Sequence, residues 1–163
     1  MAKNKEEKTN VMRVLEQKKI AYTAHTYPHE EGVAVDGVTV AQSMGFDPAA
    51  VFKTLVARGA SKQYYVFDVP VAENLDLKKA AKAVGEKSIE MIHQKELLPL
   101  TGYIHGGCSP VGMKKLFPTV FHSSAENLAA MIVSAGKIGY QVELAPHDLA
   151  ALVRAKFADI IVE

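Results

Sequence analysis

The segment Gly102 to Lys115 reads GYIHGGCSPVGMKK and holds the chain's single cysteine beside a histidine, paired glycines and a Ser-Pro step. A cysteine nucleophile needs a base close by and surroundings that favour the thiolate. His105 is near Cys108 in sequence, but an extended, glycine-broken segment does not reliably bring the two together. The competing reading is an inert buried side chain, the usual state of a free Cys. The glycines offer a different chemistry. Gly106 and Gly107 permit positive φ and close backbone approach, so successive N–H groups could face a substrate oxygen as an oxyanion hole does. Ser109 precedes Pro110, which biases it to extended geometry and could aim its hydroxyl at the same space. The plainer alternative is a turn between two strands.

Lys53 is the second candidate. In VFKTLVA, Val51, Lys53, Leu55 and Ala57 fall on one strand face by the period of two, so a lysine interrupts an apolar row. An edge strand whose lysine snorkels to water would explain it. So would a cation at the rim of a pocket, where weaker solvent screening strengthens its hold on a phosphate or an oxyanion. A third segment, VSAGKIG from Val133 to Gly139, again has a serine at a strand end followed by glycine, lysine and glycine. Two small-residue loops after strands suggest two walls of one pocket. The histidines at 25, 29, 93, 105, 122 and 147 form no HExxH pattern, and one cysteine gives no Cys/His ligand spacing, so no metal and no cofactor are expected. Neither a GxSxG elbow nor a P-loop occurs.

These residues must be positioned by short elements. Val11, Val14, Leu15 and Lys18 recur at helical spacing behind a Thr9 or Asn10 cap, predicting a helix over 10–19. A strand over 20–27 and a glycine-rich, acidic connection follow, then a short helix near Val40 to Met44 and a turn opened by Asp47-Pro48. Residues 51–57 and 63–69 predict an antiparallel hairpin. A helix over 75–84 has Asn74 or Asp76 as its cap and Gly85 as its terminator. Strands are predicted at 88–91, 101–104, 119–122, 131–134 and 139–144, with helices near 94–98 and from Pro146 to Val153. Six or seven strands with about five helices and no regular βαβ alternation predict one α+β domain, with a curved, mixed, barrel-like sheet and flanking helices.

At 163 residues and 48% apolar content, the chain suits a single domain with a substantial core, its first nine residues being flexible. Its apolar runs are far short of the roughly 20 residues that cross a bilayer, and MAKNKEEKTN lacks the apolar stretch of a signal peptide, so a cytoplasmic protein without membrane contact is expected. Net charge is +1, which excludes binding nucleic acid by bulk electrostatics and leaves only local contacts. The lysine clusters at 78, 79 and 82, at 114 and 115, and at 3, 5 and 8 read as solvated helix faces and a loose terminus.

Taken together, HTY at 25–27, FKTL at 52–55, LDLKKAAKAVGEKSIEM at 75–91, GYIHGGCSPVG at 102–112 and VSAGKIGYQVELAPHDL at 133–149 resemble the YbaK/EbsC family. These are free-standing trans-editing aminoacyl-tRNA deacylases related to the editing domain of bacterial prolyl-tRNA synthetase. The resemblance covers nearly the whole chain after about residue 10 and is nearest to the Cys-tRNA(Pro) deacylase branch. It implies a mischarged tRNA 3′ end as substrate, chiefly cysteine on proline tRNA. Lys53 would contact the terminal phosphate or place the ester, and the Gly106 backbone would engage the scissile carbonyl. Tyr27, Thr54, Gly107, Ser109, Ser134 and Gln141 would shape the pocket. The family needs no enzyme nucleophile, since the substrate thiol can attack its own ester and leave as a thiolactone. Such a release needs positioning and a donor for the carbonyl oxygen more than an acid-base dyad. Some members carry Asp where this chain has Gln141, which bears on amino-acid preference. Prolyl-tRNA synthetase is the implied partner in selecting tRNA. The rival readings are a water-using deacylase for another amino acid such as alanine, a non-catalytic module that binds tRNA ends or a synthetase, and a cysteine-dependent hydrolase.

Overall fold

A computed structural model describes residues 8–30 and 33–163. Residues 1–7 of the expected flexible start lie outside the described residues. Thr9 is buried, and its side chain accepts the Met12 N–H at 3.3 Å to cap α1 (Asn10–Gln17), which sinks Val11, Met12 and Leu15 into the core. Strand β1 (Thr23–Thr26) follows. Helix α2 (Gly37–Ser43) begins earlier than its apolar residues suggest, because the Asp36 carboxylate accepts the Thr39 N–H at 3.1 Å and caps it there. Asp47 opens a 3-10 turn at Pro48–Ala50.

The predicted hairpin forms as β2 (Phe52–Gly59) and β3 (Tyr64–Pro70), with Lys53 opposite Val69 and Thr54 opposite Asp68. Asp76 caps α3 (Leu77–Val84), and Gly85 ends it at φ 75°, in the left-handed region where a Cβ is penalised. Then come β4 (Ile89–Met91), α4 (Gln94–Thr101), β5 (Thr119–His122), a 3-10 segment (Ser123–Asn127), β6 (Met131–Ser134), β7 (Tyr140–Leu144), α5 (Pro146–Val153) and β8 (Lys156–Ala158).

The strand expected at 101–104 does not form. The Thr101 hydroxyl donates to the Leu97 carbonyl at 2.7 Å and accepts the Tyr103 N–H at 3.0 Å, carrying α4 past Pro99 until Gly102 ends it at φ 90°. The glycine segment therefore lies in an irregular stretch between α4 and β5, not in a turn between two strands.

Strands β4-β2-β3-β5-β8 make one sheet, antiparallel among the first three and parallel from β3 onward. Strands β1-β7-β6 make a second, wholly antiparallel sheet. A parallel bridge between Val51 and Ile132 joins β6 to the entry of β2, so the two sheets form a curved, mixed surface that does not close into a barrel. Phe52, Phe121, Met131 and Val133 fill the core between α1, α5 and the smaller sheet, while Phe67, Val69, Val120 and Ile160 pack under α3. No helix among the described residues is long and apolar enough to cross a membrane.

Candidate functional site

Where the two sheets meet, the flank of β2 is incompletely covered. β6 reaches it at Val51 and β4 pairs with it from Ala57 onward, leaving Lys53 to Leu55 between them. A cavity of about 540 Å³ occupies this gap. Its walls come from β2, from Tyr27 after β1, from residues 34–37 leading into α2, from the 105–108 loop, and from Ser134, Tyr140 and Gln141 across the seam.

Lys53 lines this cavity and is partly buried, with no ion pair among the described residues. Burial lowers its pKa below the ordinary lysine value, and the charges of Asp36 and Glu73 oppose that shift. On the β4 side the backbone of β2 is unpaired at Lys53, as at a sheet edge, but the side chain is partly buried on the cavity wall. Among the described residues, this ammonium is held in the pocket without a fixed counter-ion.

Gly106 faces the same cavity at φ 91°. A Cβ there would stand 2.7 Å from the Ala34 Cβ, so glycine is required both by conformation and by space. Its N–H has no backbone partner among the described residues, whereas the Gly107 N–H is spent on the Ile104 carbonyl at 2.9 Å. Gly107 does not line the cavity. It packs against the Lys137–Ile138 backbone, where a Cβ would meet Ile138 N at 3.2 Å, and this close approach is how the two small-residue loops come together.

Ser134 lines the cavity and its hydroxyl accepts the Gly136 N–H at 3.1 Å. Tyr27 and Gln141 are nearly fully buried and also line it, and Gln141 Oε1 has no hydrogen-bond partner among the described residues. Ser109 stands apart from them. It is fully buried, off the cavity, and its hydroxyl accepts the Val111 N–H at 3.2 Å, which closes a local turn around Pro110.

Cys108 and His105 both line the cavity, but no hydrogen bond joins them. Burial, reinforced by the nearby Asp68 charge, pushes its thiol up to about 12, so it is a protonated, weakly nucleophilic group at neutral pH. Asp68 is a residue that sequence reasoning missed. It is fully buried beneath Thr54, whose hydroxyl donates to its Oδ1 at 2.5 Å, while Oδ2 has no partner. Burial raises its pKa to about 7, against the lowering effect of that hydrogen bond. The signal available was a lone acid in the apolar run YYVFDV. Among the described residues, no three His, Cys, Asp or Glu side chains converge to hold a metal ion.

This arrangement places a cation, a backbone amide with no backbone partner among the described residues and several polar side chains around one cavity, in which no hydrogen bond joins the Cys108 thiol to a base among the described residues. Residues 32–152 match the family model described as an aminoacyl-tRNA editing domain. A curated relative, the putative Cys-tRNA(Pro)/Cys-tRNA(Cys) deacylase EbsC of Enterococcus faecalis, is 47% identical over 161 residues, covering 98% of each chain. The crystal structure of a putative trans-editing enzyme for prolyl tRNA synthetase superposes with a TM-score of 0.79 at 25% identity, over 94% of this chain and 95% of that one. The crystal structure of hypothetical protein APE2540, 18% identical, shares the fold with a TM-score of 0.82 over 93% of this chain and 99% of that one.

Proposed function

This chain belongs to the aminoacyl-tRNA editing domain family, and from that membership and the cavity we propose that it is a trans-editing deacylase that removes cysteine mischarged on tRNA(Pro). The observation that carries the proposal is the meeting of Lys53 and Gly106 in one cavity whose only thiol is held protonated. In this reading the Lys53 ammonium holds the terminal phosphate or the ester, and the Gly106 N–H receives the carbonyl oxygen as negative charge develops on it. Gln141, Tyr27, Thr54 and Ser134 confine the aminoacyl group.

The enzyme supplies orientation, and the bound cysteine supplies the nucleophile. Its sulfur attacks its own ester carbonyl, a C–S bond forms, the C–O bond to the terminal ribose breaks, and the thiol proton ends on the departing ribose oxygen. The products are cysteine thiolactone and uncharged tRNA. Holding the thiol at attacking distance replaces an enzyme nucleophile and its base. Because the chain is nearly neutral, it binds tRNA weakly by itself, and association with prolyl-tRNA synthetase would supply the choice of tRNA.

Deacylation rates for proline tRNA charged with cysteine, alanine or proline test the assignment. Selective release of cysteine supports it. Equal release of alanine would favour water attack, and protection of the cysteine ester would mark a binding module.

A further inference from the structure

Thr54 and Asp68 are cross-strand neighbours on β2 and β3, one in the cavity wall and the other beneath it. Asp68 is wholly shielded from solvent on a strand flanked by β2 and β5, and it has no lysine, arginine or histidine within ion-pairing distance among the described residues. A carboxyl so placed, with one oxygen unpartnered, is unfavourable for folding alone. It nevertheless takes a short hydrogen bond from the Thr54 hydroxyl.

A threonine hydroxyl has one proton and two lone pairs. With the proton committed to Asp68, Thr54 can offer the cavity only lone pairs. The unpartnered Oε1 of Gln141, on the same cavity, is a second acceptor. Two side-chain acceptors, with the Asp36 carboxylate also on the cavity wall, suit a ligand group that brings its own protons.

We propose that Asp68 is a positioning residue acting through Thr54: by holding the hydroxyl proton beneath the wall, it turns Thr54 into an acceptor and makes the site select aminoacyl groups with a free amino nitrogen. This inference rests on the cavity being the editing site and adds to it a device that reads the α-amino group. Asp68 itself does not touch the substrate.

The test uses two uncleavable probes, 3′-cysteinylamino-3′-deoxyadenosine and its counterpart lacking the amino group, 3′-(3-mercaptopropionyl)amino-3′-deoxyadenosine. Binding is measured by calorimetry on the full chain. Wild type should prefer the cysteinyl probe by about tenfold, the worth of one good hydrogen bond. The preference should shrink to within about twofold in Thr54→Val and in Asp68→Ala. It should survive in Thr54→Ser, and in Asp68→Asn, whose amide carbonyl can still accept the hydroxyl proton. A structural role for Asp68 would alter stability without changing the ratio of the two affinities. An unchanged ratio in Thr54→Val or in folded Asp68→Ala overturns the inference, as does a wild type that binds both probes equally. If Asp68→Ala does not fold, Thr54→Val and Asp68→Asn still decide the matter. Wild type that binds neither probe and cleaves no ester would overturn the editing-site reading itself, and this inference with it.

Discussion

Lys53 on β2 and Gly106 in the loop after α4 face each other's space across one cavity, although they belong to separate parts of the chain. The lysine has no fixed counter-ion among the described residues, and the glycine stands at a positive φ with no room for a side chain. Both features are unfavourable or neutral for the fold and useful to a ligand.

Lys53→Ala should lower kcat/KM for cysteine release by about a hundredfold or more, the usual effect of removing one group that stabilises developing charge. The melting temperature should stay within a few degrees of wild type, because no ion pair among the described residues is lost and a partly buried charge is removed. Wild-type rates in this variant would dismiss the role assigned to the ammonium.

Cys108→Ala should retain deacylation within about threefold, since its thiol is protonated at neutral pH. Truncating a buried side chain in the Val56, Val66 and Phe117 cluster should cost about 1 kcal/mol of stability. Loss of activity in the folded variant, or inactivation by thiol alkylation, would restore Cys108 as a nucleophile.

Gly106→Ala should damage both fold and activity. The left-handed φ alone costs about 1–2 kcal/mol for a residue with a Cβ, and contact with Ala34 adds to it. Pairing the change with Ala34→Gly should recover part of the stability but not the rate, because the strained backbone would still misplace the amide. Urea unfolding and single-turnover deacylation separate the two effects.

Asp68 predicts a pH dependence with a definite sign. Its folded pKa, about 7, lies above the ordinary value of 3.8, so between these pH values the native state holds more protons than the unfolded chain. Its contribution is therefore full below pH 4 and is lost as pH rises through about 7, by an amount on the order of 4 kcal/mol at most. The stability of wild type relative to Asp68→Asn should fall across this window. A difference that is flat, or that rises with pH, contradicts the buried, unpaired state of the carboxyl.

The hairpin, α1 and α3 are legible in the sequence because their signals act locally: Val51 to Ala57 and Gln63 to Val69 are β-rich runs around a turn-prone Arg58 to Ser61, Thr9 and Asp76 cap, and Gly85 terminates. The end of α4 is not legible, because Thr101 looks β-prone until its hydroxyl finds the Leu97 carbonyl. β8 escapes notice because Lys156–Ala158 is a strand through its pairing with β5, not through composition. In the candidate site, Lys53 and the glycine loop stand out by residue type. The difference between Gly106 and Gly107 depends on which N–H the Ile104 carbonyl consumes, a fact of three-dimensional geometry. Asp68 is concealed for a related reason: its importance lies in its distance from Thr54 across two strands.

The most direct test of the account is the first product formed from cysteine-charged tRNA(Pro), sampled faster than thiolactone hydrolyses. Attack by the substrate's own sulfur predicts cysteine thiolactone at the earliest times, with free cysteine appearing after it. Free cysteine from the first sample, with no thiolactone at any time, would contradict it and place water at the ester carbonyl instead.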